Sequence, residues 1–323
     1  MSIQDYHQLF LDYLEDTVKL KEPENLYEPE LYILQLGGKR LRPILTLIAA
    51  EAFGSKPLEA LPAALAVEVF HNFTLLHDDI MDQAAIRRGK PTVHKKWNVN
   101  TGILSGDVML IDAYRFFEVY EPEIFKNLVQ LFSKTAVEVC EGQQYDMDFE
   151  SRNDVTLDAY LHMIKYKTSV LVAAALQMGA IISGASTEEQ KNIYNFGISL
   201  GLAFQLQDDY LDTFGDQKTF GKKIGGDILE NKKTWLFLKA KELTDSVDTD
   251  KLSKLYSENL ITPEAKIAAV QKIFRKYQVD DLIKQEINKY SNKALILLEN
   301  MPIKDAQKKL LEKLVIQLKE RQK

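Results

Sequence analysis

Apolar positions recur at three- and four-residue steps along most of the chain, the spacing of one face of an α-helix. The pattern predicts helices over residues 3–20, 31–36, 43–53 and 57–81, with Pro23 and Pro29 bracketing a short connector. It continues over 98–119, 123–150, 156–183 and 187–214. Beyond Leu236 it resumes as amphipathic segments near 246–258, 262–276, 279–298 and 303–320. No strand-like alternation of useful length interrupts it, and no linker rich in Pro, Gly or Ser divides the chain. Fifteen Gly and nine Pro are few for 323 residues, which favours long helices over many-turned sheets. The expectation is all-α: a single domain, residues 1–323, with long helices around a deep central cleft.

Composition narrows the function. The net charge of −6 argues against a general nucleic-acid binder, so any phosphate site must come from local basic clusters. One cysteine, Cys140, leaves no intrachain disulfide and suits a reducing cytoplasm. The first residues, MSIQDYHQLFLDYLEDTVKL, lack the basic start and apolar centre of a signal peptide. No apolar run reaches the length of a bilayer span, so no transmembrane segment is expected.

Where the helical pattern carries charge, it carries it twice. The helix over 57–81 closes on HDDIMD, residues 77–82. Asp78 and Asp82 are one turn apart and share a face. Two such carboxylates repel unless a cation lies between them, and oxygen-only ligands favour Mg²⁺ before Zn²⁺. Residues 205–212, QLQDDYLD, repeat the arrangement: Gln205, Asp208, Asp209 and Asp212 fall on one helical face. Two acidic sets in apolar helices, where charge is costly without a partner, outweigh the reading as solvated faces.

Bases follow each set. RRGKPTVH, residues 87–94, places Arg87, Arg88 and Lys90 just beyond the first aspartates. DQKTFGKKIGGD, residues 216–227, places Lys218, Lys222 and Lys223 beyond the second, and Lys232 and Lys233 come next. Upstream, GGKRLRP at 37–43 offers two glycines and then Lys39, Arg40 and Arg42, either an anion cradle at a helix start or a C-cap followed by solvated bases. His71 lies two turns before Asp78, as a satisfied core histidine or a phosphate donor. Lys167, beside Thr168 in an apolar stretch, either snorkels to solvent or meets an anion. In EGQQYDMD, Gly142 permits close helix contact, and Gln143 and Asp146 are one turn apart. Divalent ions, basic loops and greasy helices suit a ligand with a diphosphate head and an apolar tail. No nucleophile-and-base pair and no P-loop pattern accompany them.

In their order, GGKRLRP, HNFTLLHDDIMD, RRGKPTVH, EGQQYDMD, YKTS, FQLQDDYLD, GKKIGGD and NKKTW resemble the trans-isoprenyl diphosphate synthases, over about residues 37–235. The resemblance implies the isoprenoid synthase type I fold and a head-to-tail prenyltransferase joining isopentenyl diphosphate to dimethylallyl, geranyl or farnesyl diphosphate. It implies three Mg²⁺ ions on Asp78, Asp82 and Asp208, supported by Asp79, Asp209 and Asp212. Arg87, Lys167, Lys222 and Lys232 would hold the allylic diphosphate, and Lys39, Arg42, His71 and Arg88 the isopentenyl diphosphate. Thr168 and Gln205 would sit near the reacting carbon. A homodimer is also expected.

By the same analogy the growing tail runs along the first aspartate helix, away from the metals. Phe73 and Thr74, five and four residues before Asp78, combine one bulky ring with one smaller residue. That pairing predicts geranylgeranyl diphosphate, with farnesyl and then longer products as alternatives. Three other readings compete. A class I terpene cyclase would lack the GGKR element and the second DDYLD. A metal-dependent phosphohydrolase, suggested by His77-Asp78 with His71, leaves the basic loops unexplained. A non-catalytic subunit of a heteromeric synthase generally loses aspartates that are intact here.

Overall fold

The computed structural model describes residues 1–215, 224–257 and 262–319. In chain order the helices are α1 (Ile3–Thr17), α2 (Glu24–Gln35), α3 (Leu41–Ala52), α4 (Leu61–Met81), α5 (Val93–Lys96), α6 (Val99–Arg115), α7 (Pro122–Ser151) and α8 (Leu157–Ile164). They continue as α9 (Val170–Ile182), α10 (Thr187–Phe214), α11 (Gly226–Leu229), α12 (Trp235–Leu243), α13 (Ser246–Ser257), α14 (Pro263–Lys276), α15 (Val279–Glu299) and α16 (Asp305–Lys319). A single 3₁₀ turn, Pro57–Ala60, leads into α4, and a π-turn, Lys165–Ser169, joins α8 to α9. The fold is all-α. Among the described residues the only strands are the two-residue β1 (Ile86–Arg87) and β2 (Lys90–Pro91), paired antiparallel.

Contacts group the chain into two compact units. The first comprises residues 1–134, 174–193 and 302–310. Its core is the apolar face of α3 and α4, where Leu45, Leu47, Ile48, Leu65, Val69 and Phe70 are fully buried. Small residues bring helices close. A Cβ on Gly179 would lie 2.4 Å from the Thr46 carbonyl oxygen, and one on Gly106 would lie 2.2 Å from His77 Nε2. These glycines are therefore the reason α9 can lie on α3, and α6 on α4. The expected connector between Pro23 and Pro29 is instead the start of α2, with Pro29 inside the helix. Burial of Glu30, Ile33 and Leu34 outweighs the one backbone bond that Pro29 cannot donate.

The second unit comprises residues 135–173, 194–301 and 311–323. Leu206, Leu236, Ile228, Phe274 and Ile283 form its centre, from α10, α11, α12, α14 and α15. Thr156 and Thr262 cap α8 and α14 through their hydroxyl oxygens. The helix expected over 156–183 is present with one alteration. At Lys165–Ser169 it widens to a π-turn, a form concentrated at functional sites.

Candidate active site

In the first unit the charged residues gather at the start of α3, the end of α4 and the turn of the small hairpin. Gly37 and Gly38 take left-handed φ values of 80° and 128°, and Arg40 follows at 47°. The chain can thus turn sharply into α3. Arg40 itself is buried, ion-paired to Glu68 and donating to the Leu34 carbonyl. Asn72 Nδ2 donates to the same carboxylate at 3.0 Å, so this trio anchors α3 to α4. Lys39 is left exposed and Arg42 half-buried.

Arg42 Nη1 lies 3.1 Å from His71 Nε2. An arginine only donates, so Nε2 accepts and the ring proton belongs on Nδ1. Burial, then the charges of Arg42, Arg88, Arg87 and Arg40, hold the His71 pKa well below its ordinary value. His71 is therefore neutral within a ring of guanidiniums, a field suited to an anion.

The hairpin delivers two of those guanidiniums. Arg88 and Gly89 both have positive φ, 51° and 75°, as a tight two-residue hairpin turn requires. Arg88 reaches back to donate to the Gly37 carbonyl, and its guanidinium lies where a Cβ on Gly38 would stand, 2.8 Å from Nη2. Arg87 makes a two-pronged pair with the buried Asp79, 2.7 and 2.8 Å. Asp78 is half-buried and Asp82 exposed beside them. These three aspartates end α4, where the helix dipole is negative and further negative charge is unfavourable. Next to them, Phe73 is buried against Phe70 and His77, with ring centroids 5.6 and 4.8 Å apart. Thr74 donates to the His71 carbonyl at 2.8 Å.

In the second unit a cavity of about 130 Å³ is lined by Asp146, Lys167, Thr168, Gln205, Asp209, Asp227 and Lys232, with Met163 and Ile164 among its apolar walls. Its residues are chained together. Lys167 Nζ donates to Asp146 Oδ2 at 2.6 Å, and Thr168 Oγ1 to Gln205 Oε1 at 3.1 Å. Gln205 Nε2 donates to Asp209 Oδ1 at 3.2 Å, and Tyr160 donates to the other oxygen of Asp209. Burial, with Asp227 nearby, raises the Asp209 pKa well above the usual carboxylate range. Burial and then Asp212 raise that of Asp227. Asp212 accepts from the Asp227 N–H at 3.0 Å. Lys232 pairs with Glu230 at 2.8 Å and stands 4.0 Å from Asp227. Asp208 is half-buried on the same helix end. Lys222, with Lys218 and Lys223, lies outside the described residues.

Three participants escaped the sequence reading: Asp146 as the partner of Lys167, Asp227 within the acidic set, and Tyr160 behind Asp209. Asp146 and Asp227 stand inside motifs already marked as special. Tyr160 carries no such signal, because only the fold brings it to Asp209.

Both acidic sets fit divalent cations. Each ends a helix at its negative pole, and in the second, burial first and neighbouring carboxylates next raise the pKa of Asp209 and Asp227. Among the described residues no three carboxylate, imidazole or thiolate groups form a ready-made metal cage.

Known proteins agree with this chemistry. The Polyprenyl synthetase family matches residues 23–274. A geranylgeranyl diphosphate synthase of Methanosarcina mazei is 45% identical over 231 residues, 71% of each chain. A geranylfarnesyl diphosphate synthase of Aeropyrum pernix is 33% identical, over 91% of this chain and 93% of its own. A crystal structure of a geranylgeranyl pyrophosphate synthase superposes with a TM-score of 0.96 at 52% identity, covering 99% of both chains. A polyprenyl synthase from Caulobacter crescentus, solved with calcium and isoprenyl diphosphate, gives 0.88 at 26% identity, covering 99% of this chain and 96% of its own. Matched over most of its length in sequence and nearly all of it in fold, the chain belongs to the polyprenyl synthetase family and is a prenyltransferase.

Proposed function

We propose that the protein condenses isopentenyl diphosphate with an allylic diphosphate and releases geranylgeranyl diphosphate. One observation carries the reading: a neutral histidine ringed by arginines beside one aspartate set, and a lysine-bearing cavity beside the other. Each unit thus offers its own diphosphate-binding chemistry, and the two serve one reaction within a single domain, residues 1–323. The family match running across both units supports that unity.

The residues divide the work as follows. Lys39, Arg42, His71 and Arg88 hold isopentenyl diphosphate, with the neutral ring of His71 able to bond without adding charge. Lys167, Lys232, Arg87 and Lys222 hold the allylic diphosphate. Asp78, Asp82 and Asp208, backed by Asp79, Asp209 and Asp212, are the ligands for three Mg²⁺ ions. When bound, those ions stabilise the charge that develops on the departing diphosphate. Thr168 and Gln205, already hydrogen-bonded to each other, border the reacting carbon and fix its orientation. Met163 and Ile164 are apolar walls beside that region, the kind of surface that shields a carbocation from water. The protein works in the cytoplasm as a homodimer; the exposed Ile103, Leu104 and Ile111 on α6 are an apolar face for the second copy.

Product length is set by Phe73, with Thr74 beside it. Incubation with isopentenyl diphosphate, Mg²⁺ and each short allylic diphosphate, followed by chromatography of the dephosphorylated products, should give one twenty-carbon prenol. Cyclised hydrocarbons, or no product, would overturn the reading. Phe73→Ala opens the space beneath the ring and should shift the main product by one or more five-carbon units. An unchanged distribution would remove Phe73 as the stop.

A further inference from the structure

Helix α14 carries none of the residues assigned above, yet its side chains reach the end of α10 and the turn that carries Asp227 and Lys232. Lys266 is buried at 5% exposure, and its Nζ donates to Asn231 Oδ1 at 2.6 Å. The neighbouring Ile267 lies so close to Gly225 that a Cβ there would be 2.7 Å from its side chain. One turn on, Gln271 Nε2 donates to the Thr213 carbonyl at 2.6 Å. These contacts hold the last turn of α10 and the corner at Asn231.

Between the braced points lies the acidic turn. The Gly225 N–H donates to the Asp212 carbonyl at 2.6 Å, and the Asp227 N–H to its carboxylate at 3.0 Å. Asn231 has a left-handed φ of 58°, which asparagine tolerates better than most residues. That corner sends the chain back, so the Lys232 N–H donates to the Asp227 carbonyl at 2.9 Å. The direction of Lys232 and the placement of Asp227 therefore follow from Asn231, and Asn231 is tied to Lys266. A methionine would fill the same space without the cost of burying an ammonium. What the ammonium adds is a directed bond to one amide oxygen.

Resting on the metal reading above, we propose that Lys266, acting through Asn231, is a positioning residue for cation binding at the second acidic set. It holds the turn from Asp227 to Lys232 in register with Asp212, while Gln271 fixes the end of α10.

The test is a Mn²⁺ titration of the full-length protein with inorganic pyrophosphate, followed by electron paramagnetic resonance. Lys266→Met should weaken Mn²⁺ binding by about tenfold or more, the scale seen when a group that orients a metal ligand is lost. Its KM for isopentenyl diphosphate should stay unchanged. Asn231→Gly keeps the left-handed corner but removes the amide, so it should weaken binding equally, and the double variant should lose nothing further. Lys266→Arg should recover part of the affinity. Unaltered Mn²⁺ binding in Lys266→Met would overturn the proposal, as would a loss matched by an equal change at the isopentenyl site. If Lys266→Met does not fold, Asn231→Gly decides alone, and normal Mn²⁺ binding in it overturns the proposal. If the wild-type protein binds no Mn²⁺ with pyrophosphate, or Asp208→Ala binds it as well, the metal reading falls and takes this one with it.

Discussion

Glu30 is a buried carboxyl with no part in the proposed reaction. Burial, and then the charge of Asp112, raise its pKa from 4.5 to about 7, against the opposing pull of Lys21. A raised carboxyl pKa means that the folded protein binds the proton more tightly than the unfolded chain. Its stabilising effect is fully present below pH 4.5 and is lost as pH rises through 7. The shift corresponds to a destabilisation on the order of 3 kcal/mol above neutrality. Glu30→Gln removes the charge at nearly constant volume. It should raise the thermal midpoint at pH ~8, and the advantage should shrink to nothing toward pH ~4.5. A pH-independent difference would show that Glu30 is already charged in the fold. In the sequence this residue stands at the edge of the connector that Pro23 and Pro29 suggest. Nothing local marks a glutamate as buried when the element covering it is set by tertiary packing. The aspartates of HDDIMD and QLQDDYLD were legible because charge at helical spacing inside an apolar helix needs a partner. What stayed hidden was how the acids divide: Asp79 is taken up by Arg87 and Asp209 by Tyr160, both from outside their motifs.

At the level of elements, helical periodicity located the long helices well, because burial of one face is what makes them form. It missed the π-turn at Lys165–Ser169, since widening one turn changes no residue's polarity. The cause of that turn's placement is steric as well as local. A Cβ on Gly142 of α7 would lie 2.2 Å from the Lys167 backbone nitrogen. Backbone meets backbone there, so no side chain can swing aside. Gly142→Ala should therefore push the π-turn off α7, moving Lys167 from Asp146 and Thr168 from Gln205. Overpacking of this kind costs about 1–3 kcal/mol. A displacement near 1 Å at reacting groups costs about 100-fold in rate. The expected result is a modest fall in the thermal midpoint with a much larger fall in kcat. Equal, mild effects on both would mean that the turn adapts, and that its shape is not needed for turnover. In sequence the hairpin β1–β2 shows only as a basic loop for a similar reason: two residues are too few to show alternation. The positive φ at Arg88 accompanies the return of that side chain onto the glycines at 37 and 38.

For the molecule as a whole, the question is whether its two acidic sets act together. Each lies in its own compact unit, each ends a long helix at the negative pole, and each has its own lysines or arginines. Two independent sites would leave one functional when the other is damaged. One reaction that needs both would fail equally with either. Asp78→Ala and Asp208→Ala should each lower kcat by about 1,000-fold or more, because the leaving diphosphate loses much of its electrostatic stabilisation. The double variant should be scarcely worse, the non-additivity expected of groups that act as a unit. Ligand-linked stability provides a second readout that does not depend on turnover. Mg²⁺ with inorganic pyrophosphate should raise the thermal midpoint of the wild-type protein, since binding to the folded state alone stabilises it. EDTA should remove the shift and excess Mg²⁺ restore it. Either aspartate variant should lose most of the shift while keeping the helical circular-dichroism spectrum. If Asp78→Ala keeps the full shift and half the activity, the first set is a surface feature and the assignment of metals to both helices is wrong. If both variants lose both signals together, the charges at the ends of α4 and α10 belong to one catalytic device.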